Sequence, residues 1–291
     1  MLLRLLEILF PIVAIVAAGF VLGRYRNTDL GEANRLNLDV FVPALVFVSL
    51  AGKPLQLEAL GLLAGGAVLV IAACGLLALA ASRALGVAVK TLVPPMMFNN
   101  SGNLGLPVAF LAWGESIMPA AIILFVVQTS LHFSVGVKML DPRIGLANIW
   151  RVPVIGATIA GIVVGANRVE LWPPLLTALR MLGDISIPLM LVGLGTRLSQ
   201  SRWHDWRLAG ALALLRPAVG FAVAWLIANL LRLPSQQASL LMLFGALPPA
   251  VMNFIFAERY GQEPERVASI VLIGNLAAVL VLPVAIAAVL G

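Results

Sequence analysis

Leu92-Val93-Pro94-Pro95-Met96-Met97-Phe98-Asn99 and Ala246-Leu247-Pro248-Pro249-Ala250-Val251-Met252-Asn253 decide how this chain folds. Each sets a double proline in an apolar run, with an asparagine four residues after the second proline. A proline inside a helix removes a backbone hydrogen bond and clashes with the preceding turn, at a cost of about 3 kcal/mol. In hydrocarbon the freed carbonyls find no water, so such breaks persist only where protein or a wet cavity receives them. Interrupted hydrophobic segments at corresponding places in two halves of a chain point to a transporter's binding site. Pro94, Pro95, Pro248 and Pro249 are therefore read as helix breaks.

Composition agrees with a membrane setting. Of 291 residues, 61% are hydrophobic and 11% charged, with mean hydropathy +1.04; soluble domains carry about 25% charged residues. Apolar runs long enough to cross a bilayer predict ten spans, at about 5–23, 36–51, 59–82, 88–112, 116–140, 152–167, 173–196, 207–231, 236–258 and 266–290. The first run is too long for the apolar core of a signal peptide and is read as a retained span. The net charge of +6 comes without a basic cluster interleaved with aromatics, so no nucleic-acid partner is expected. The single cysteine, Cys74, offers neither a disulfide nor a cysteine metal site.

Loop charges orient the spans. Arg24, Arg26, Arg35, Arg83, Lys90, Lys138, Arg143, Arg151, Arg197, Arg202, Arg207, Arg259 and Arg266 fall on one side; Arg4, Lys53, Arg168, Arg180 and Arg232 fall on the other. Lys and Arg favour the cytoplasm, which puts both termini outside. Residues 141–151, with Trp150 near the interface, then form a central cytoplasmic loop.

The chain also repeats itself. Asp39-Val40-Phe41-Val42-Pro43 in the second span returns as Asp184-Ile185-Ser186-Ile187-Pro188 in the seventh, 145 positions on, with Arg35 and Arg180 at the same offset. The double prolines lie 154 apart, the extra length fitting a longer loop around Trp203-His204-Asp205-Trp206. In the fifth and tenth spans, Phe125 to Gln128 aligns with Leu272 to Asn275. Five spans is an odd number, so the second repeat, residues 152–291, must insert upside down relative to the first, residues 1–140. The expected fold is an all-α membrane protein of ten transmembrane helices in two inverted five-helix repeats, with Pro-broken helices 4 and 9 crossing.

Asn99-Asn100-Ser101-Gly102-Asn103-Leu104-Gly105-Leu106-Pro107, inside an interrupted fourth span, resembles the signature of the auxin efflux carrier family. That family takes in plant PIN-type carriers and bacterial permeases for malate, malonate or similar acids. The resemblance runs the length of the chain, although the long cytoplasmic loop of some plant members is replaced by about a dozen residues. It implies a bacterial inner-membrane location and a scaffold of spans 1, 2, 6 and 7. Spans 3–5 and 8–10 would form a transport domain that moves in an elevator fashion, and a homodimer through the scaffold is plausible. The related bile-acid type shares crossed broken helices.

The candidate residues follow. Helix ends meeting at the breaks expose N–H groups suited to a carboxylate and carbonyls suited to a cation. Asn99 and Asn253, read as repeat-equivalent, are expected to bind substrate, a role that the resemblance also implies; the plainer alternative is that they satisfy freed backbone. Asn100 and Asn103 carry either ligand contact or capping, and Ser101 could N-cap a half-helix. Gln128, which matches a polar position lining the family's site, and its repeat-mate Asn275 suggest a polar stripe facing the bundle interior. Asp39 and Asp184 could take up a proton or balance a cation, or simply be hydrated and paired with Arg35 and Arg180. His132 could relay protons or make an interhelical bond. Arg216 could counter an anion, but snorkelling is the favoured account. Glu58 and Lys53 are read as loop charges.

Enzyme chemistry finds no motif: there is no His-x-x-x-His pair, no phosphate loop with lysine and no Gly-x-Ser-x-Gly. No cofactor or metal is expected. The reading is a secondary transporter of a small organic anion, with coupling to H+, to Na+ or to neither. The rivals are a sodium-coupled bile-acid-type carrier and a membrane subunit that binds a ligand without moving it.

Overall fold

The computed structural model describes residues 2–26, 30–52, 56–144, 152–200 and 205–290. Lys53, Trp150, Arg151, Arg202, Trp203 and His204, named in the sequence reading, lie outside them, as does most of the 141–151 loop. Among the described residues the chain is helical throughout: α1 (Leu2–Arg26), α2 (Gly31–Leu36), α3 (Val42–Ala51), α4 (Leu57–Leu85), α5 (Val89–Met97), α6 (Leu106–Trp113), α7 (Met118–Leu131), α8 (Val137–Leu140), α9 (Pro153–Ala166), α10 (Pro173–Gln200), α11 (Trp206–Leu230), α12 (Ser235–Gly245), α13 (Met252–Arg259) and α14 (Pro264–Leu290). Single π-helical turns join α2 to α3, precede α6 and join α7 to α8, at Asn37–Phe41, Ser101–Gly105 and His132–Gly136.

Among the described residues, seven stretches are long and apolar enough to cross a membrane: α1, Gly31–Ala51, α4, Ser101–Leu140, α10, α11 and α14. The 40-residue stretch Ser101–Leu140 folds back at Gly114, whose φ of 75° only glycine adopts without strain, so α6 and α7 lie side by side. At 14 residues α9 rises about 21 Å, short of the roughly 30 Å hydrocarbon core. Helices α5, α12 and α13 are short because the expected breaks cut them.

Packing is uneven along the chain. Helix α1 runs along α10, and α3 packs on both α9 and α10. Helix α11 packs on α14, α12 and α4, while α4 packs on α5 and α7. Small residues allow the closest approaches, as is usual between membrane helices: Gly19 and Gly195 lie against the backbone of Val192 and Val16. Leu104, Leu106, Ile122, Leu240 and Leu247 fill the centre around the breaks.

Candidate functional site

The two broken segments meet. Asn100 N–H donates to Pro248 O at 2.8 Å and Ala250 N–H to Phe98 O at 3.0 Å, making an isolated antiparallel bridge between Asn99 and Pro249. These two bonds exchange under a local two-fold that swaps Phe98 with Pro248, Asn99 with Pro249 and Asn100 with Ala250. By that symmetry the partner of Asn253 is Asn103, and the matched Pro-Pro strings are out of register. Pro94 and Pro95 lie within α5, whereas Pro248 and Pro249 form the extended link itself. The first helix therefore does not stop at its prolines. It runs to Met97 and gives way to extended backbone at Phe98, with φ −105° and ψ 117°.

Side-chain amides stitch the crossing. Asn99 Nδ2 donates to Phe244 O at 2.7 Å. Asn253 Nδ2 donates to Phe98 O at 3.1 Å and Ala250 O at 2.9 Å. Asn100 Nδ2 donates to Asn275 Oδ1 at 2.7 Å, and Asn275 Nδ2 to Pro249 O at 2.9 Å and Val271 O at 2.8 Å. Flipping the Asn99 or Asn253 amide would set oxygen against oxygen, so the partner carbonyls fix the orientation. Buried Asn99 Oδ1, Gln128 Oε1, Asn253 Oδ1 and Asn37 Oδ1 have no protein partner.

A cavity of about 270 Å³ opens beside the bridge. Asn99, Asn100, Ser101, Asn103, Gln128 and His132 line it, and Asp39 lines it from the Asn37–Phe41 turn. Gln128 Nε2 reaches Asn99 O at 3.4 Å. His132 stacks on Phe98, with centroids 4.3 Å apart, and meets Phe256 edge-on at 5.1 Å. Asp39 lies 3.9 Å from Arg35 Nε with its side chain half exposed, so it both pairs as expected and borders the cavity.

Other expected residues go elsewhere. Asn253 and Asn275 are buried behind the cavity, their amides spent on backbone and on Asn100. Asp184 is exposed on α10, away from the cavity wall, and forms no ion pair with Arg180. Ser101 is not the N-cap. That position falls to Asn100, whose carbonyl accepts from Leu104 and Gly105 while its side chain is taken by Asn275, leaving Ser101 in the first turn. Nor does Arg216 snorkel: its eleventh place in α11 leaves it 3% exposed.

Sequence reading missed Asn34, Asn37 and Arg197, which also line the cavity. Arg197 had been counted among loop charges, and Asn34 and Asn37 stand just before Asp39 in a polar stretch that could have flagged them. Each of the three π-helical turns contributes to the wall, through Asn37 and Asp39, through Ser101 and Asn103, and through His132. Such turns are rare and gather at functional sites. No cluster of His, Cys, Asp or Glu among the described residues could hold a metal ion.

Two broken helices bridged beside a cavity, in a helical chain with several stretches long and apolar enough to cross a bilayer, fit a multi-pass membrane protein. Residues 144–286 match the family model described as membrane transport protein. The match takes in α9 to α13 and most of α14, including the second break; the Asn-rich stretch from Asn99 lies outside it. No curated protein matches the chain.

Proposed function

We propose that this chain is a secondary transporter of a small organic anion in a bacterial inner membrane, of the auxin efflux carrier type. In this reading ten spans form two inverted repeats, both termini face outward, and α5–α6 and α12–α13 are the broken fourth and ninth spans. The observation that carries the reading is the Asn99–Pro249 bridge beside a cavity in which amide, hydroxyl and charged side chains, several of them on three π-helical turns, stand among apolar ones. The cavity's volume, about 270 Å³, falls just under the range for drug-sized ligands, about 300–1,000 Å³, which suits a compact acid such as malate, malonate or an auxin-like acid. Arg197 in the wall and the helix start at Ser101 offer positive charge and N–H donors to a carboxylate. Asn99, Asn100, Asn103 and Gln128 would contact substrate, with Asn253 and Asn275 holding the crossing. The packing of α1, α3, α9 and α10 on one another supports their role as a scaffold, against which the remaining helices shift as an elevator. A scaffold-mediated homodimer accords with this division.

A second reading, the sodium-coupled carrier, is favoured by the unpartnered oxygens of Asn37, Asn99 and Gln128 in the cavity lining, neutral acceptors of the kind a hard cation takes. Purified protein in liposomes, given labelled malate, malonate and indole-3-acetate under imposed pH or sodium gradients, separates the alternatives. Accumulation of an acid supports transport, a strict sodium requirement selects the second reading, and binding without movement leaves a ligand-binding subunit. Asn99→Ala is expected to weaken acid affinity roughly tenfold, the scale of one charge-assisted hydrogen bond, with an intact melting transition. Wild-type affinity in that variant removes Asn99 from the site.

A further inference from the structure

Arg216 is 3% exposed in the middle of α11, and the transport scheme above leaves it without a role. Its Nη1 donates to Gly245 O at 2.7 Å and to Leu247 O, while Nε has no acceptor. A guanidinium stays protonated in proteins, so a full positive charge is buried here. No carboxylate among the described residues lies within ion-pair distance of it. The ionisable neighbour whose field reaches it is the buried Cys74 thiol of α4. A buried charge is costly unless something balances it. The C-terminal end of α12, which Arg216 caps, supplies about half a negative charge. The balance stays positive.

The first half of the chain manages without such a cation. On α4, Gly75 lies against Met97 of α5, as Gly220 on α11 lies against Gly245 of α12. Arg216 stands four residues before Gly220, and the residue four before Gly75 is Ile71, a buried hydrocarbon. A helix pair beside a broken span therefore packs without a cation at this place. The charge also sits close to the cavity wall. Phe244 O, next to the Gly245 carbonyl that Arg216 holds, is the acceptor of the Asn99 amide, and Asn99 lines the cavity.

We propose that Arg216 is a second fixed positive charge that, behind Arg197 in the wall, makes the cavity select an anion, acting through the end of α12 rather than by touching the ligand. This rests on the organic-anion reading and deepens it: the bound acid supplies the negative charge that the protein leaves out. In a dry interior such a field is weakly screened and acts far more strongly on a full charge than on a neutral dipole. Arg216 is thus a positioning residue, and its signature is loss of charge selectivity.

Two variants of the full chain in lipid nanodiscs test this by their affinities for malonate and indole-3-acetate and for the neutral amides malonamide and indole-3-acetamide. Arg216→Met removes the charge. Cys74→Asp leaves Arg216 itself in place and sets a carboxylate within electrostatic reach of the guanidinium, so it remains informative if the Met variant does not fold. In either variant the bound acid should weaken at least about tenfold, equivalent to 1.4 kcal/mol, while its amide stays within about twofold. Equal weakening of acid and amide in both variants, or unchanged acid affinity in folded Cys74→Asp, overturns the proposal and leaves the transport reading standing. A wild-type protein that binds neither acid overturns both.

Discussion

At the first break α5 continues through Pro94 and Pro95 to Met97, and the chain becomes extended at Phe98 and Asn99. At the second, α12 stops at Gly245 and the prolines themselves form the link, with Asn253 already in the first turn of α13. Their end-caps differ as well. Phe98 O receives the neutral Asn253 amide, whereas Gly245 O and Leu247 O receive the Arg216 guanidinium. The first break lends the cavity Asn99, Asn100, Ser101 and Asn103; the second lends it Ala250, Val251 and Met252. One break therefore carries the polar chemistry, and the other is a dry, charged brace that holds it in place. Motif symmetry conceals a division of labour, because similar strings solve the problem of freed backbone groups with different partners.

Packing offers the sharpest way to break this comparison. A Cβ on Gly220 would lie 2.1 Å from Gly245 O, a backbone atom that cannot step aside, while a Cβ on Gly75 would lie 2.9 Å from the flexible Met97 Sδ. Gly220→Ala should cost more than about 3 kcal/mol, enough to abolish a cooperative melting transition in detergent. Gly75→Ala should cost about 1 kcal/mol, since a thioether adapts to irregular space. Equal effects at the two sites would mean that the brace is no tighter than its counterpart.

The prolines give a smaller effect with opposite signs. Pro95→Ala restores an N–H opposite Thr91 O within α5 and should stabilise by about 1 kcal/mol. Pro249 occupies an extended link and rests on Gly274, where a Cβ would come within 2.7 Å of its ring. Pro249→Ala should destabilise by about 1 kcal/mol, through a freer unfolded chain and lost packing. Melting temperatures moving in the same direction for both would restore the equivalence that the strings suggest.

Much of this was legible in the sequence, and the reason is physical. Helical segments announce themselves by length and hydropathy, and Pro-Pro in an apolar run marks where a helix is in trouble. Asn99, Asn100, Asn103, Gln128 and His132 are polar residues in apolar runs, which must face protein or a cavity, and all line the cavity. Register was not legible, because where α5 ends depends on which carbonyls find donors across the crossing. Hence Asn99 was paired with Asn253, although the bridge pairs it with Pro249. Arg216 looked like a snorkelling cation because its acceptors, Gly245 O and Leu247 O, are backbone atoms without a residue-type signal. The π-helical turns bordering the cavity likewise have no composition of their own.

The two breaks also differ in how their leading helices are tethered to α14, and this gives the weakest effect. Thr91 in α5 donates to the Glu263 carboxylate just before α14, and Arg266 bridges Glu263 at 3.1 Å and Asp205 at 2.9 Å. In α12 the corresponding tie is neutral, Ser239 Oγ donating to Val289 O at 3.2 Å. The Thr91 hydroxyl, and after it Arg266, hold the Glu263 carboxyl below its ordinary value. A depressed carboxylate contributes stability above its unfolded pKa and loses it as pH falls through the folded one. The α5 tie is therefore whole at neutral pH and fades below the usual carboxylate range of about 4. The Glu263 side chain is 43% exposed, so solvent screening limits the contribution to a few tenths of a kcal/mol. Glu263→Gln should lower the melting temperature slightly at neutral pH and converge with wild type in acid. Ser239→Ala should shift it by the same amount at every pH. A Glu263→Gln variant that tracks wild type in parallel across that range would show that both tethers are neutral in effect and erase this last difference between the breaks.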